Sequence, residues 1–241
     1  MPTLNSEDFS MPVSLFRAHL LAGCFASLLA AAPAAAQGPA IAIDTTLPVG
    51  AFASYALSKD ASSFDPERAE NKQLLEKGFG FPVRVARVLD GYALVASPAT
   101  KLFIPVPLGW QGFDDGRRTR LFPPGGDIGL VVSIVSLDGV QGWDDVREQF
   151  WQQVRQAAAE RKRQAPRYEA RLIRLSDGTF GVRETSIPES GGPYSSVLLF
   201  LRYPGEPNLG LRVNLFTPVE EFERYLGLAG LVVRDIQSPQ R

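Results

Sequence analysis

The chain has 241 residues, with 25 basic against 26 acidic side chains, one His and one Cys. A chain this close to neutral, without a long basic run, is a poor electrostatic partner for nucleic acid, whose binding rests on neutralising phosphates. A lone Cys cannot close an internal disulfide, so stability must come from a hydrophobic core.

Arg17, the apolar run Leu20–Ala32 and Ala34-Ala35-Ala36 before Gln37 form the pattern of a secretory signal peptide over 1–36. The run is Ala-rich and short for a membrane span, which needs ~20 strongly apolar residues. Glu7 and Asp8 are foreign to such a leader and mark Met11 as the expected start. Leu21-Ala22-Gly23-Cys24 offers an alternative, lipidation at Cys24. Only six residues separate Arg17 from Cys24, too few for a normal apolar region, and more apolar sequence follows. A periplasmic or secreted protein is expected, with lipoprotein anchoring the lesser alternative and no membrane span in the mature chain. Cleavage removes His19, Cys24, Met1 and Met11, which are all the His, Cys and Met present, and leaves 24 basic and 24 acidic residues. About 200 residues suffice to bury roughly 70% of the unfolded surface.

Residues 37–100 read as an N-terminal extension. Ile41 to Leu57 is apolar and small, broken by Pro48 and Gly50. Asp65-Pro66-Glu67 starts a helix, with Asp65 as N-cap and Pro66 at its first position. Leu74 and Leu75 give its apolar face and Gly78 its stop. Phe79-Gly80-Phe81-Pro82 reads as a loop with two exposed aromatics. Val83 to Leu89 is a strand, Asp90-Gly91 a turn, and Tyr92 to Val95 the return.

The main domain is expected over 101–241. Leu102 to Pro107 is an edge-type strand, because Pro cannot donate to a ladder. Leu108-Gly109-Trp110 turns away. Arg118 to Phe122 is a short strand, and Pro123-Pro124-Gly125-Gly126 a tight turn. Ile128 to Leu137 is almost continuously apolar, as in a strand covered on both faces. Trp143, Val146, Phe150, Trp151, Val154, Ala157 and Ala158 then fall on one stripe of a 3.6-residue period, predicting a helix over 143–164. Asp144 and Asp145 in its first turn and Arg161-Lys162-Arg163 in its last suit the helix dipole, and Pro166 prevents continuation. Four strands follow: Tyr168–Leu175, Thr179–Ile187, Tyr194–Tyr203 and Leu209–Phe216, joined by hairpin-length turns and therefore antiparallel. Thr217-Pro218-Val219-Glu220 has the form of a capping box, with Thr217 as N-cap of a helix whose inner face is Phe222, Tyr225 and Leu226. The fold class is α+β: a single antiparallel sheet with helices on its faces.

Phe103-Ile-Pro-Val-Pro-Leu-Gly-Trp110, the long apolar strand, the helix, four strands and a closing helix before Asp235-Ile236-Gln237-Ser238 resemble the PsbP-like superfamily over roughly 101–238. The resemblance implies an α/β/α sandwich and a non-catalytic, protein-binding or assembly role. Metal binding in the photosynthetic members of that superfamily leans partly on His. The mature chain has none, so no metal or cofactor is carried over.

Without His or Cys, a Ser-His-Asp triad, a Cys nucleophile and His- or Cys-ligated metal sites are excluded. Neither Gly-x-Ser-x-Gly nor Ser-x-x-Lys occurs. Two acidic pairs remain. Asp144-Asp145 reads as dipole stabilisation, and Asp114-Asp115 as a solvated turn rather than an acid–base pair. Pro123–Gly126 lacks the Lys of a phosphate loop. Arg117, Arg118 and Arg120 read as charges guarding an exposed strand edge, ahead of an anion site. Trp151 belongs to the core stripe. Trp110 and Trp143 flank turns, and with Phe79, Phe81 and Tyr92 they form the candidate contact surface.

The expected function is an exported, non-enzymatic protein-binding or assembly factor with an envelope protein as partner. The alternative is a small-molecule or lipid carrier with a pocket between the sheet and helix 143–164. A carboxylate-based hydrolase is the lesser alternative.

Overall fold

A computed structural model describes residues 40–49, 79–81, 84–89, 92–123, 128–137, 139, 142–165, 167–187 and 192–236. These lie in one unit, Gly38–Arg241. The expected leader, the helix from Asp65, and the turns at Pro124–Gly126 and Glu189–Gly191 fall outside the described residues.

The strands are β1 (Ile43–Asp44), β2 (Val85–Leu89), β3 (Tyr92–Ala96), β4 (Phe103–Pro107), β5 (Gln111–Asp114), β6 (Arg118–Phe122), β7 (Gly129–Ser136), β8 (Glu169–Arg174), β9 (Phe180–Ser186), β10 (Tyr194–Arg202) and β11 (Leu209–Pro218). Among the described residues the α-helices are α1 (Trp143–Gln164) and α2 (Phe222–Asp235). Eight strands form one sheet in the order β1-β8-β9-β10-β11-β7-β6-β5, and β2-β3-β4 form a second. All pairings are antiparallel except the two-residue parallel pairing of β1 with β8. The α+β class is as expected, but the single sheet is corrected to two.

That correction comes from β4. Its prolines do confine it to an edge, but the edge is that of the small sheet, where Ala93 pairs with Val106 and Val95 with Ile104. A strand that sequence reading missed, β5, takes the outer edge of the large sheet.

Side-chain alternation divides the large sheet into two faces. Leu130, Val132, Leu199, Leu211, Val213 and Leu215 point to one face, where α2 and the small sheet cover them and the main core forms. On the other face α1 packs its stripe against Leu172, Phe180, Val182 and Phe200. Phe180 stacks on Phe200 at 5.3 Å, and Phe150 meets Phe200 edge-on at 4.9 Å. Backbones approach closely where a glycine allows it. A Cβ at Gly181 would lie 2.0 Å from the Leu198 carbonyl oxygen of the next strand.

Helix α1 begins and ends where its sequence pattern predicts. The capping box at α2 does not form. Thr217 is still in the β11 ladder, paired with Ser195, and its hydroxyl donates to the Pro218 carbonyl. A single 3-10 turn, Val219–Glu221, leads into α2 instead. The helix then continues through Leu231 to Asp235, because Leu228, Leu231 and Val232 extend its buried stripe.

Candidate functional site

The predicted contact aromatics are corrected by burial. Phe79 and Tyr92 belong to the main core, with Phe81 packed partly buried against it. Phe79 bridges to Gly112, and its ring fills the room that Gly112 leaves; a Cβ there would lie 2.3 Å from the ring. Tyr92 turns its hydroxyl to the end of α2, donating to Asp235 and accepting from Arg234 at 3.2 Å. Burial, then Asp235, raises its phenol above the ordinary range. Trp110 is buried beside Tyr225, ring centroids 6.0 Å apart. Trp143 is buried too, its indole donating to the Gly178 carbonyl at 2.8 Å. The structure brings Phe79 and Phe81 together at 5.3 Å but does not gather all five into one exposed patch.

Of the two acidic pairs, Asp114-Asp115 holds backbone. Asp114 accepts from Ala99 N at 2.8 Å, Gly116 N at 2.8 Å and Thr119 Oγ1 at 3.0 Å. Thr119 in turn meets the buried Ser97 hydroxyl, so this network ties the β3–β4 connection to β6. Asp115 accepts from Arg117 N, Arg118 N and Arg118 Nε, and the hydrogen bond from Arg118 holds its carboxyl below the usual range. Asp144 pairs with Arg147 on the exposed start of α1. Among the described residues, no three His, Cys, Asp or Glu side chains gather as metal ligands, and no helix is long and apolar enough to cross a membrane.

Two charged constellations escaped sequence reading. Under the last turns of α1, Glu184 accepts from both Arg161 and Tyr168. Burial and then Glu184 raise the Tyr168 phenol well above its ordinary value. The second lies on the α1 face beyond the helix. There β11, β7 and β6 present Arg212, Asn214, Phe216, Val131 and Arg120, and no described element packs over them. Arg118 and Arg120 do not guard an edge, because β6 lies inside the sheet between β5 and β7. Arg212 is at the middle of β11, flanked by Leu211 and Val213 that point into the core. A charge near the centre of a largely apolar strand was the available signal.

A scan against protein-family models returns no match, and neither does a search of curated proteins. Among solved structures the chain is similar to the Ran-binding protein Mog1p of Saccharomyces cerevisiae, at 9% identity over 66% of this chain and 96% of that one, with a TM-score of 0.41. A Mog1 variant gives 9% identity, the same coverage and a TM-score of 0.42. The PsbP of Synechocystis sp. PCC 6803 gives 16% identity over 65% of this chain and 92% of that one, with a TM-score of 0.37. These are the PsbP/Mog1-type structures towards which the sequence resemblance pointed. The superpositions are loose, so the architecture stands on the strand pairings above, and nothing those proteins bind transfers to this chain.

Proposed function

We propose that this chain is an exported, non-enzymatic binding or assembly protein of the periplasm, docking an envelope protein on the half of the large sheet that α1 leaves open. The carrying observation is that half-face. Eight strands make a sheet wider than one helix can cover, and α1 seats only on the β8–β10 side. Beyond it Val131, Phe122 and Phe216 are partly exposed and Phe113 is 49% exposed. A partly apolar, partly charged surface of this kind is what protein interfaces use. The leader pattern supports export, and the absence of His and Cys after residue 36 supports a role without catalysis. The carrier alternative needs space under α1, which Phe150, Phe180 and Phe200 occupy. A cleft of about 220 Å³ lies instead on the opposite face, between Arg171 and Arg183, and is smaller than the ~300–1,000 Å³ typical of ligand sites.

The test places a photo-crosslinking residue at Phe113 and, separately, at the exposed Lys162 of α1, in cells making the full chain. An adduct from 113 and none from 162 is expected, on a protein whose envelope form begins at Gln37. No adduct from 113, or a form that retains the leader in the cytoplasm, would refute the proposal.

A further inference from the structure

Three side chains of the open half-face stand in one row. Register pairs Arg118 of β6 with Ser133 of β7, and Ser133 with Arg212 of β11. Alternation puts all three on the α1 face. Ser133 is 5% exposed, and among the described residues its hydroxyl has no hydrogen-bond partner. Among the described residues the Arg212 side chain has no hydrogen bond or ion pair. Burial, and then the like charge of Arg118, push its guanidinium below the ordinary value, yet an arginine stays charged. Arg118 is held through Nε by Asp115, which also meets Arg120 at 3.7 Å, so among the described residues this face carries Arg118, Arg120 and Arg212 against the Asp115 carboxylate. A desolvated cation, an orphan hydroxyl and a like-charge neighbour each disfavour the folded chain, and here they share one spot. An oxyanion between Arg212 and Ser133 would relieve all three, accepting two hydrogen bonds from the guanidinium fork and one from the hydroxyl.

We propose that the row Arg118–Ser133–Arg212 anchors a carboxylate side chain in an acidic segment of the protein partner. This rests on the binding role proposed above. A protein source fits better than a free anion or a lipid headgroup because the same strands continue into side chains that suit a peptide: Phe122 and Phe216 four residues along β6 and β11, and exposed Phe113 at the rim. Complementary charge would also steer the encounter, so association weakens as salt rises.

The experiment titrates the purified protein with a peptide of alternating Glu and Leu, an alternating Lys and Leu control, inorganic phosphate, and phosphatidylglycerol vesicles. Variants are Arg212→Met, Arg212→Lys, Ser133→Ala and, on the opposite face, Arg171→Met. The Glu peptide is expected to bind and the Lys peptide not to. Arg212→Met should weaken binding about tenfold or more, and Ser133→Ala about threefold, as loss of a charge-assisted and of an ordinary hydrogen bond respectively. Arg212→Lys should fall between wild type and Arg212→Met, keeping the charge without the fork. Arg171→Met should leave binding within about twofold, as a distant exposed charge does. Absence of Glu-peptide binding overturns the proposal, as does equal loss in Arg212→Met and Arg171→Met. Arg212-dependent binding of phosphate or vesicles but not of the peptide overturns the protein source. If the peptide fails while the crosslink from position 113 persists, the anchor falls and the docking role stands. Loss of the crosslink removes both.

Discussion

The two halves of the α1 face share one sheet and the same alternation, and differ in what covers them. Under α1 the row is aromatic, with Phe180 and Phe200 stacked beneath Trp143 and Phe150. A cation drawn in there, Arg161, is met by Glu184, with Tyr168 on the same carboxylate. Beyond α1 the same sheet carries Arg212 with no such partner among the described residues. A charge that is desolvated and paired belongs to the fold. One that is desolvated and unpaired is not explained by the fold, and its explanation has to be sought in what the chain meets.

Substitutions can break or sharpen this contrast. The largest effect is expected from Phe180→Ala, which empties the centre of the aromatic row and should cost about 3–5 kcal/mol in urea unfolding. The matching change on the open half, Phe113→Ala, should stay within about 0.5 kcal/mol. Similar losses at both positions would erase the distinction. Glu184→Gln leaves Arg161 without a counter-charge. Glu184 and Arg161 keep 14% and 25% of their side-chain surface exposed, so solvent screening reduces the loss to about 1–2 kcal/mol, below that of a fully buried pair. A smaller effect comes from pH. Burial and Glu184 raise the Tyr168 phenol in the folded chain. The unfolded tyrosine therefore ionises first, near its ordinary value of about 10. Stability should be unaffected below that pH and fall as pH rises past it. Tyr168→Phe should flatten part of the alkaline decline measured by thermal melts. Tyr92 and Tyr203, both also raised, keep the remainder.

How legible this was in the sequence depended on how local each signal is. Helix α1 could be read to both ends because its stripe, its acidic start and its basic end all lie within 22 residues. Strands β7 to β11 were marked by apolar runs and Gly- or Pro-bearing turns. The capping box failed because Thr217 was claimed by a cross-strand partner, Ser195, 22 positions earlier. Phe79 looked exposed because Gly80 and Pro82 surround it with loop chemistry. Its burial depends on an absent side chain at Gly112. Strand β4 read correctly as an edge, but local sequence does not say which sheet it edges. The anchor row was hidden for the same reason. Arg118, Ser133 and Arg212 span 94 positions and meet only through register.

The most direct check is the equilibrium unfolding of Arg212→Met beside the wild-type chain. Removing an unpaired, partly desolvated cation from the sheet face should leave stability unchanged or raise it by up to about 1 kcal/mol, while acidic-peptide affinity falls. A loss above about 1 kcal/mol would show that Arg212 holds the sheet together, and would contradict its role as an anchor kept for a partner.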